Sequence, residues 1–134
     1  MRPEARGGDY ASTAHMTDPQ ALYHRQQRLH EALAAAPWAH DYFATLRRIN
    51  ALNPQQPRLG SALRPGAEPL RLGQDPELDF APAGVMSFKL NEHTPPRLCV
   101  RFFGLFGPMG PLPLHLTEYA RDRQRNHADA SFAR

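Results

Sequence analysis

Three side chains of this 134-residue chain, His115, Glu118 and Cys99, are candidates for catalysis or metal binding by their type and position. His115 and Glu118 are three residues apart, so on a helix both would face the same ion. A zinc site needs a third or fourth ligand, and none lies within a few residues of the pair. One hypothesis is therefore a small metal- or thiol-dependent enzyme using His115, Glu118 or Cys99. The alternatives are a capping or interface role for the pair and a buried structural role for Cys99, the single cysteine.

The segment 104–113 contains three glycines at three-residue spacing together with three prolines. Phosphate-binding loops aim successive backbone N–H groups at an anion. Each proline lacks that group, no lysine follows, and large apolar side chains fill the positions between. We therefore predict a rigid apolar loop that docks against protein and binds no nucleotide, because prolines reduce the entropy that docking costs.

The composition limits the fold and the kind of partner. Hydrophobic residues make up 41% and charged residues 22%, which is typical of a globular protein. Eleven of the 14 prolines lie within 54–113, which excludes a long central helix. A net charge of +3 does not indicate a nucleic-acid partner, and the arginines of 121–125 are interpreted as a solvated helix face. The sequence shows neither a membrane span nor a secretory signal, so we predict a cytoplasmic protein without direct membrane insertion.

Two amphipathic helices are predicted in the first part of the chain. Residues 1–16 are predicted to be a disordered leader. A helix then opens at Thr17–Pro19, and its apolar stripe consists of Leu22, Leu29, Leu33 and Ala36. Pro37 interrupts this helix. The stripe of the second helix consists of Ala39, Tyr42, Leu46 and Ile49, and Trp38 and Phe43 are expected to widen it.

Short strands and a third helix are predicted after the second helix. Residues 70–72 are predicted to form a short strand within a segment that is otherwise an ordered loop or a linker. Residues 85–90 and 97–103 alternate between apolar and polar side chains, which predicts a hairpin across 91–96. The apolar loop 104–113 follows, and a helix is expected to start near Pro113 or Thr117 and run toward Ala130. The fold class is therefore α+β, with N-terminal amphipathic helices and a small sheet.

Three segments resemble the N-terminal part of the TssG family, also called ImpH or VasB, which are baseplate subunits of the bacterial type VI secretion system. Pro37–Ile49 is similar to the aromatic helix of that family, and Glu68–Leu72 is similar to the pattern that follows it. The strongest similarity runs from Val100 to Glu118, and within it Phe103–Glu118 is close to the signature of the family. The family continues beyond the residues equivalent to 131–134. The resemblance therefore implies that 17–134 are the N-terminal region of a larger subunit, truncated in mid-helix.

The resemblance implies a non-enzymatic structural role. TssG-like subunits assemble with TssF-, TssK- and TssE-like proteins in a baseplate wedge, the cytoplasmic platform for the contractile tail, docked at the inner-membrane complex. No cofactor, metal, nucleic acid or small-molecule substrate is expected. The candidate interface residues are the apolar side chains of the second helix and of the loop: Tyr42, Phe43, Leu46, Leu105, Phe106, Met109, Leu112 and Leu114.

Overall fold

The computed structural model describes residues 18–129 and residue 131. Within these residues the chain forms three α-helices and one three-stranded sheet, which confirms the predicted α+β class. The helices are α1 (Pro19–Ala35), α2 (Tyr42–Leu52) and α3 (Leu114–Asn126), and the strands are β1 (Arg71–Gln74), β2 (Ser87–Lys89) and β3 (Arg97–Val100). The predicted leader at 1–16 lies outside the described residues.

Helix α1 begins where its sequence predicts. The Asp18 carboxylate accepts a hydrogen bond from the backbone N–H of Gln20 at 3.1 Å, and Pro19 occupies the first helical position. Both features favour a helix start, because the first-turn N–H groups lack partners within the helix. Leu29 and Leu33 are buried and form the part of the predicted stripe that faces the core.

Helix α2 begins later than predicted. Ala39 was expected inside this helix, but Pro37–Ala39 forms a separate 3₁₀ turn. Asp41 caps α2 instead, because its side chain accepts a hydrogen bond from the backbone N–H of Ala44 at 2.7 Å. The start of α2 is therefore fixed by a capping carboxylate after the turn.

This start decides which side of α2 is buried. Tyr42, Thr45 and Ile49 face the core. Trp38 and Phe43 were expected to widen the apolar stripe, but they are 66% and 59% exposed. That expectation was wrong, because Trp38 lies in the preceding turn and Phe43 lies beside the buried face.

The sheet has the order β1-β3-β2, so β3 is the central strand. Strands β2 and β3 pair antiparallel, with Phe88 opposite Leu98, which confirms the predicted hairpin. Strand β1 pairs with β3 in parallel, with Leu72 opposite Leu98, a pairing that the sequence did not predict. Leu98, Cys99 and Val100 are all buried, so the expected exposure of alternate residues was wrong for this strand. A central strand that is covered on both faces loses that alternation.

The main core lies where α1 packs on α2 and β2. Its buried members come from α1, α2, β2, β3 and the residues just before β1 and β2: Leu29, Leu33, Tyr42, Ile49, Leu70, Val85, Phe88, Leu98 and Val100. A second, smaller cluster joins Phe106 to Ala120 of α3, with Leu112 packed against it. The segment 104–113 is therefore part of the folded structure and is anchored to α3.

Helix α3 starts directly after Pro113, as predicted, but ends earlier than expected. It was predicted to run toward Ala130 and to be cut in mid-helix, whereas it ends at Asn126. The backbone of Ala128 adopts a left-handed φ of 50°, which an α-helix does not permit. The Arg123 guanidinium lies 2.7 Å from the Asp129 carboxylate, so this turn is also held by an ion pair.

Candidate protein-interaction surface

The loop 104–113 is held between the sheet and α3 by three side-chain to backbone hydrogen bonds. At the end of β1, Gln74 Nε2 donates to the carbonyl of Phe106 at 2.6 Å, and Gln74 Oε1 accepts from its N–H at 2.8 Å. On the other side, the N–H of Gly107 donates to the Oγ1 of Thr117, a fully buried α3 residue, at 2.9 Å. The loop conformation is therefore fixed by parts of the chain distant in sequence.

Two of the three glycines of the loop are required by close contacts, one with Gln74 of β1 and one with the loop's own backbone. Gly104 has a φ of +137°, and a Cβ at this position would lie 2.2 Å from Oε1 of Gln74. A Cβ at Gly110 would lie 2.4 Å from the carbonyl oxygen of Leu105. A side chain at either position would collide with groups that the loop needs, so the glycine spacing serves loop closure.

The loop divides its apolar side chains between the interior and the surface. Phe106 is buried, and Leu112 is half-buried against it. Leu105, Met109 and Leu114 are 57%, 76% and 55% exposed. Of the predicted interface residues in this region, Phe106 thus packs inside the chain. Leu105 and Met109 of the loop and Leu114 at the start of α3 face outward, and these three are here called the loop apolar residues.

Four aromatic rings form a row that joins the start of α2, the second predicted interface segment, to the residues after β3. The Tyr42 ring is 5.1 Å from the ring of Phe43 and 5.2 Å from that of Phe102, both edge-on, and the Phe102 and Phe103 centroids are 6.5 Å apart. Tyr42 is buried, which raises the pKa of its hydroxyl. Phe43 and Phe103 are 59% and 65% exposed. We call these four residues the aromatic row. Leu46 is half-buried against the main core.

Sequence reasoning missed two members of the aromatic row. Phe102 and Phe103 were assigned to the end of a strand, but β3 ends at Val100. Two consecutive aromatic residues of a strand point to opposite faces, so in a sheet covered on one side only, one of them would be exposed. The two adjacent phenylalanines were therefore a signal in the sequence for an exposed aromatic ring. The contact of Phe102 with Tyr42 could be identified only from the fold.

The residues of the enzyme hypothesis do not form a metal-binding group in the described part of the chain. His115 and Glu118 are exposed near the start of α3. Cys99 is 4% exposed in β3, between Gly73 of β1 and Ser87 of β2. Among residues 18–129 and 131, no three histidine, cysteine, aspartate or glutamate side chains are grouped to hold a metal ion. Over the same residues, every helix is too short or too polar to cross a membrane.

Comparison with known protein families gives a match over most of the chain. A family model described as Type VI secretion, TssG matches residues 36–134, which is about three quarters of the chain. The matched residues contain α2, the whole sheet, the loop 104–113 and α3, whereas α1 lies before them. No curated protein and no solved structure matches the chain significantly.

Proposed function

The chain belongs to the TssG family of type VI secretion baseplate subunits, and from this premise we propose that it is a non-enzymatic structural component of the baseplate wedge. In this role it assembles with TssF-, TssK- and TssE-like proteins and contributes to the platform on which the contractile tail is built. We place it in the cytoplasm, docked with the baseplate at the inner-membrane complex. One prediction stays untested: residues 17–134 are the N-terminal region of a longer subunit.

The observation that carries this proposal is the family match over the segment that holds the aromatic row and the loop apolar residues. Exposed aromatic side chains that lie side by side, as in the aromatic row, are typical of protein contacts. Phe43, Phe103 and Met109 are each more than half exposed. Burial of such side chains against a partner stabilises a complex by about 1.5–3 kcal/mol each when complete.

The loop conformation supports the same proposal. Gln74 and Thr117 hold its backbone from two sides, and the prolines restrict it further. A loop that is ordered before binding loses less conformational entropy when it docks. Leu105 and Met109 are therefore presented to a partner in a fixed arrangement.

Co-purification tests the proposal. The tagged chain is co-expressed with the TssF-like and TssK-like proteins of the same bacterium, and the amount of each recovered protein is measured. We expect the double variant Leu105→Asp with Met109→Asp, and separately Phe103→Asp, to reduce recovery of at least one partner about tenfold. Phe106 is not a suitable target, because it is buried and a charge there would unfold the loop.

Leu63→Asp is the matched control. Leu63 is fully exposed and belongs neither to the aromatic row nor to the loop apolar residues, so this variant should bind like the unchanged chain. Circular dichroism confirms that each variant is folded. Undiminished recovery of both partners with all the aspartate variants would remove these two surfaces from the proposed function.

A further inference from the structure

A groove between α1 and α2 combines an apolar floor with a basic rim. Its volume is about 530 Å³, within the range of ligand and side-chain binding sites. The less exposed apolar lining residues Leu22, Leu29 and Leu52 are here called the floor, and the three arginines and one histidine are called the rim; the lining residues are Leu22, Arg25, Arg28, Leu29, Ala32, His40, Arg48, Ala51 and Leu52. Leu29 is buried at the base, and the three arginines are exposed.

The arginines of the rim have no acidic partner within the described part of the chain. No carboxylate oxygen there lies within 4.0 Å of the guanidinium nitrogens of Arg25, Arg28 or Arg48. No acidic residue lines the groove either. Three like charges around an apolar floor create a local positive potential that attracts negatively charged partners.

We propose that this groove binds an acidic amphipathic helix of a partner protein. Apolar side chains on one face of that helix occupy the floor over Leu29, and flanking glutamates or aspartates pair with the arginines. A groove between two packed helices is suited to a third helix, and guanidinium groups bind carboxylates with two parallel hydrogen bonds. A nucleic acid would satisfy the arginines but would leave the apolar floor uncovered.

This inference goes beyond the family function. Helix α1 supplies Leu22, Arg25, Arg28, Leu29 and Ala32, and it lies before the residues 36–134 that match the family. The groove therefore exists only because the chain carries α1 next to α2. The groove shares no residue with the aromatic row or with the loop apolar residues, so this proposal and the proposed function fail independently.

A designed peptide tests the proposal. The probe is a helical peptide of about 15 residues with leucines on one face and glutamates beside them; the matched peptide has lysine in place of every glutamate. Amide chemical shifts of the isotopically labelled full chain are followed by NMR during titration. We expect the glutamate peptide to shift the amides of residues 22–32 and 48–52 and to bind more weakly at high salt. The lysine peptide should leave these amides unshifted.

Two neighbouring arginines of α2 provide matched variants. Arg48 lines the groove, whereas Arg47 is equally charged, exposed and outside it. We expect Arg48→Glu to weaken binding of the glutamate peptide about tenfold and Arg47→Glu to leave it within about twofold. Both positions are exposed, so both variants should fold.

Three results would overturn the proposal. The first is equal weakening by the two α2 variants, and the second is the absence of shifts in the lining amides. The third is tighter binding, through the same residues, of a DNA duplex or of vesicles that contain an anionic phospholipid. Duplex or vesicle binding would assign the arginines to phosphate recognition.

Discussion

The side-chain amide of Gln74 hydrogen-bonds to both backbone polar groups of Phe106, 32 residues further along the chain. Gln74 ends β1 and Phe106 lies in the middle of the loop 104–113. One side chain thus attaches the loop to the sheet, and Phe106 itself packs into the cluster with Ala120 of α3. The exposed loop residues are held in place by this attachment.

Replacing Gln74 should loosen the loop. In Gln74→Ala both hydrogen bonds are lost, and the N–H and carbonyl of Phe106 lose the Gln74 partner, so we expect the free energy of unfolding to fall by about 2 kcal/mol. Urea denaturation followed by circular dichroism measures this change. Gln56→Ala, at an exposed glutamine, is the control and should change stability by less than about 0.5 kcal/mol. Equal stability of the two variants would show that the attachment contributes nothing.

Gly104 should not tolerate a side chain. Gly104→Ala places a Cβ against the Gln74 side chain at a φ of +137°, so we expect a loss of about 2 kcal/mol. Gly66→Ala is the matched control, because a Cβ there meets no atom within 4 Å. The difference between the urea midpoints of the two variants, multiplied by the m-value, measures the loss. A Gly104 variant as stable as the Gly66 variant would contradict the structure of the loop.

Adjacent residues of the loop should respond differently to truncation. Phe106→Ala removes a buried ring from the cluster with Ala120, and we expect it to lower the free energy of unfolding by about 3 kcal/mol. Leu105→Ala, at a side chain that is 57% exposed, should cost less than about 0.5 kcal/mol. Thermal and urea denaturation of the two variants tests this difference. A larger loss for Leu105→Ala than for Phe106→Ala would mean that Leu105, and not Phe106, is the buried side chain.

Buried His30 should make the protein less stable in mild acid. The imidazole is 5% exposed against the ring of Phe88, and no described residue forms a hydrogen bond to its Nε2. Burial lowers its pKa from the ordinary value of 6.5. In the pH window between the lowered pKa and 6.5 the unfolded chain binds more protons, so stability is complete above the window and falls as the pH falls through it.

The pH dependence of the urea midpoint measures this effect. We expect the midpoint to fall between pH about 7.5 and about 5.5, and to fall less in His30→Leu. His93→Gln is the control, because His93 is exposed in the loop between β2 and β3, and this variant should retain the full dependence. An unchanged slope in His30→Leu would assign the acid sensitivity to other groups.

Cys99 should react slowly with thiol reagents in the folded protein. Its side chain is 4% exposed in the central strand, so modification requires opening of the sheet. We expect Ellman's reagent to react about a hundredfold more slowly in buffer than in denaturing urea. Immediate reaction in buffer would show an accessible thiol and would revive the hypothesis of a thiol-dependent enzyme.

The sequence was sufficient to predict the structural features that depend on residues close together in the chain. Asp18 and Pro19 start α1 through local capping, and the two short strands predicted within 85–90 and 97–103 pair as the hairpin of β2 and β3. The absence of backbone donors at three prolines also predicts a loop that binds no nucleotide, and this stays a prediction. Each of these inferences rests on interactions within a few residues.

The tertiary structure decided the features that depend on distant residues. Periodicity gives no partner for a short strand, so the parallel pairing of β1 with β3 was not foreseen. Periodicity also gives no partner for an aromatic side chain, so the contact between Tyr42 and Phe102 in the aromatic row was found only in the fold. The sequence marked 104–113 as a rigid apolar loop, but Gln74, Thr117 and Ala120 determine that Phe106 points inward and Leu105 outward. Which apolar side chain is exposed depends on packing between distant segments, and local residue pattern does not specify that packing.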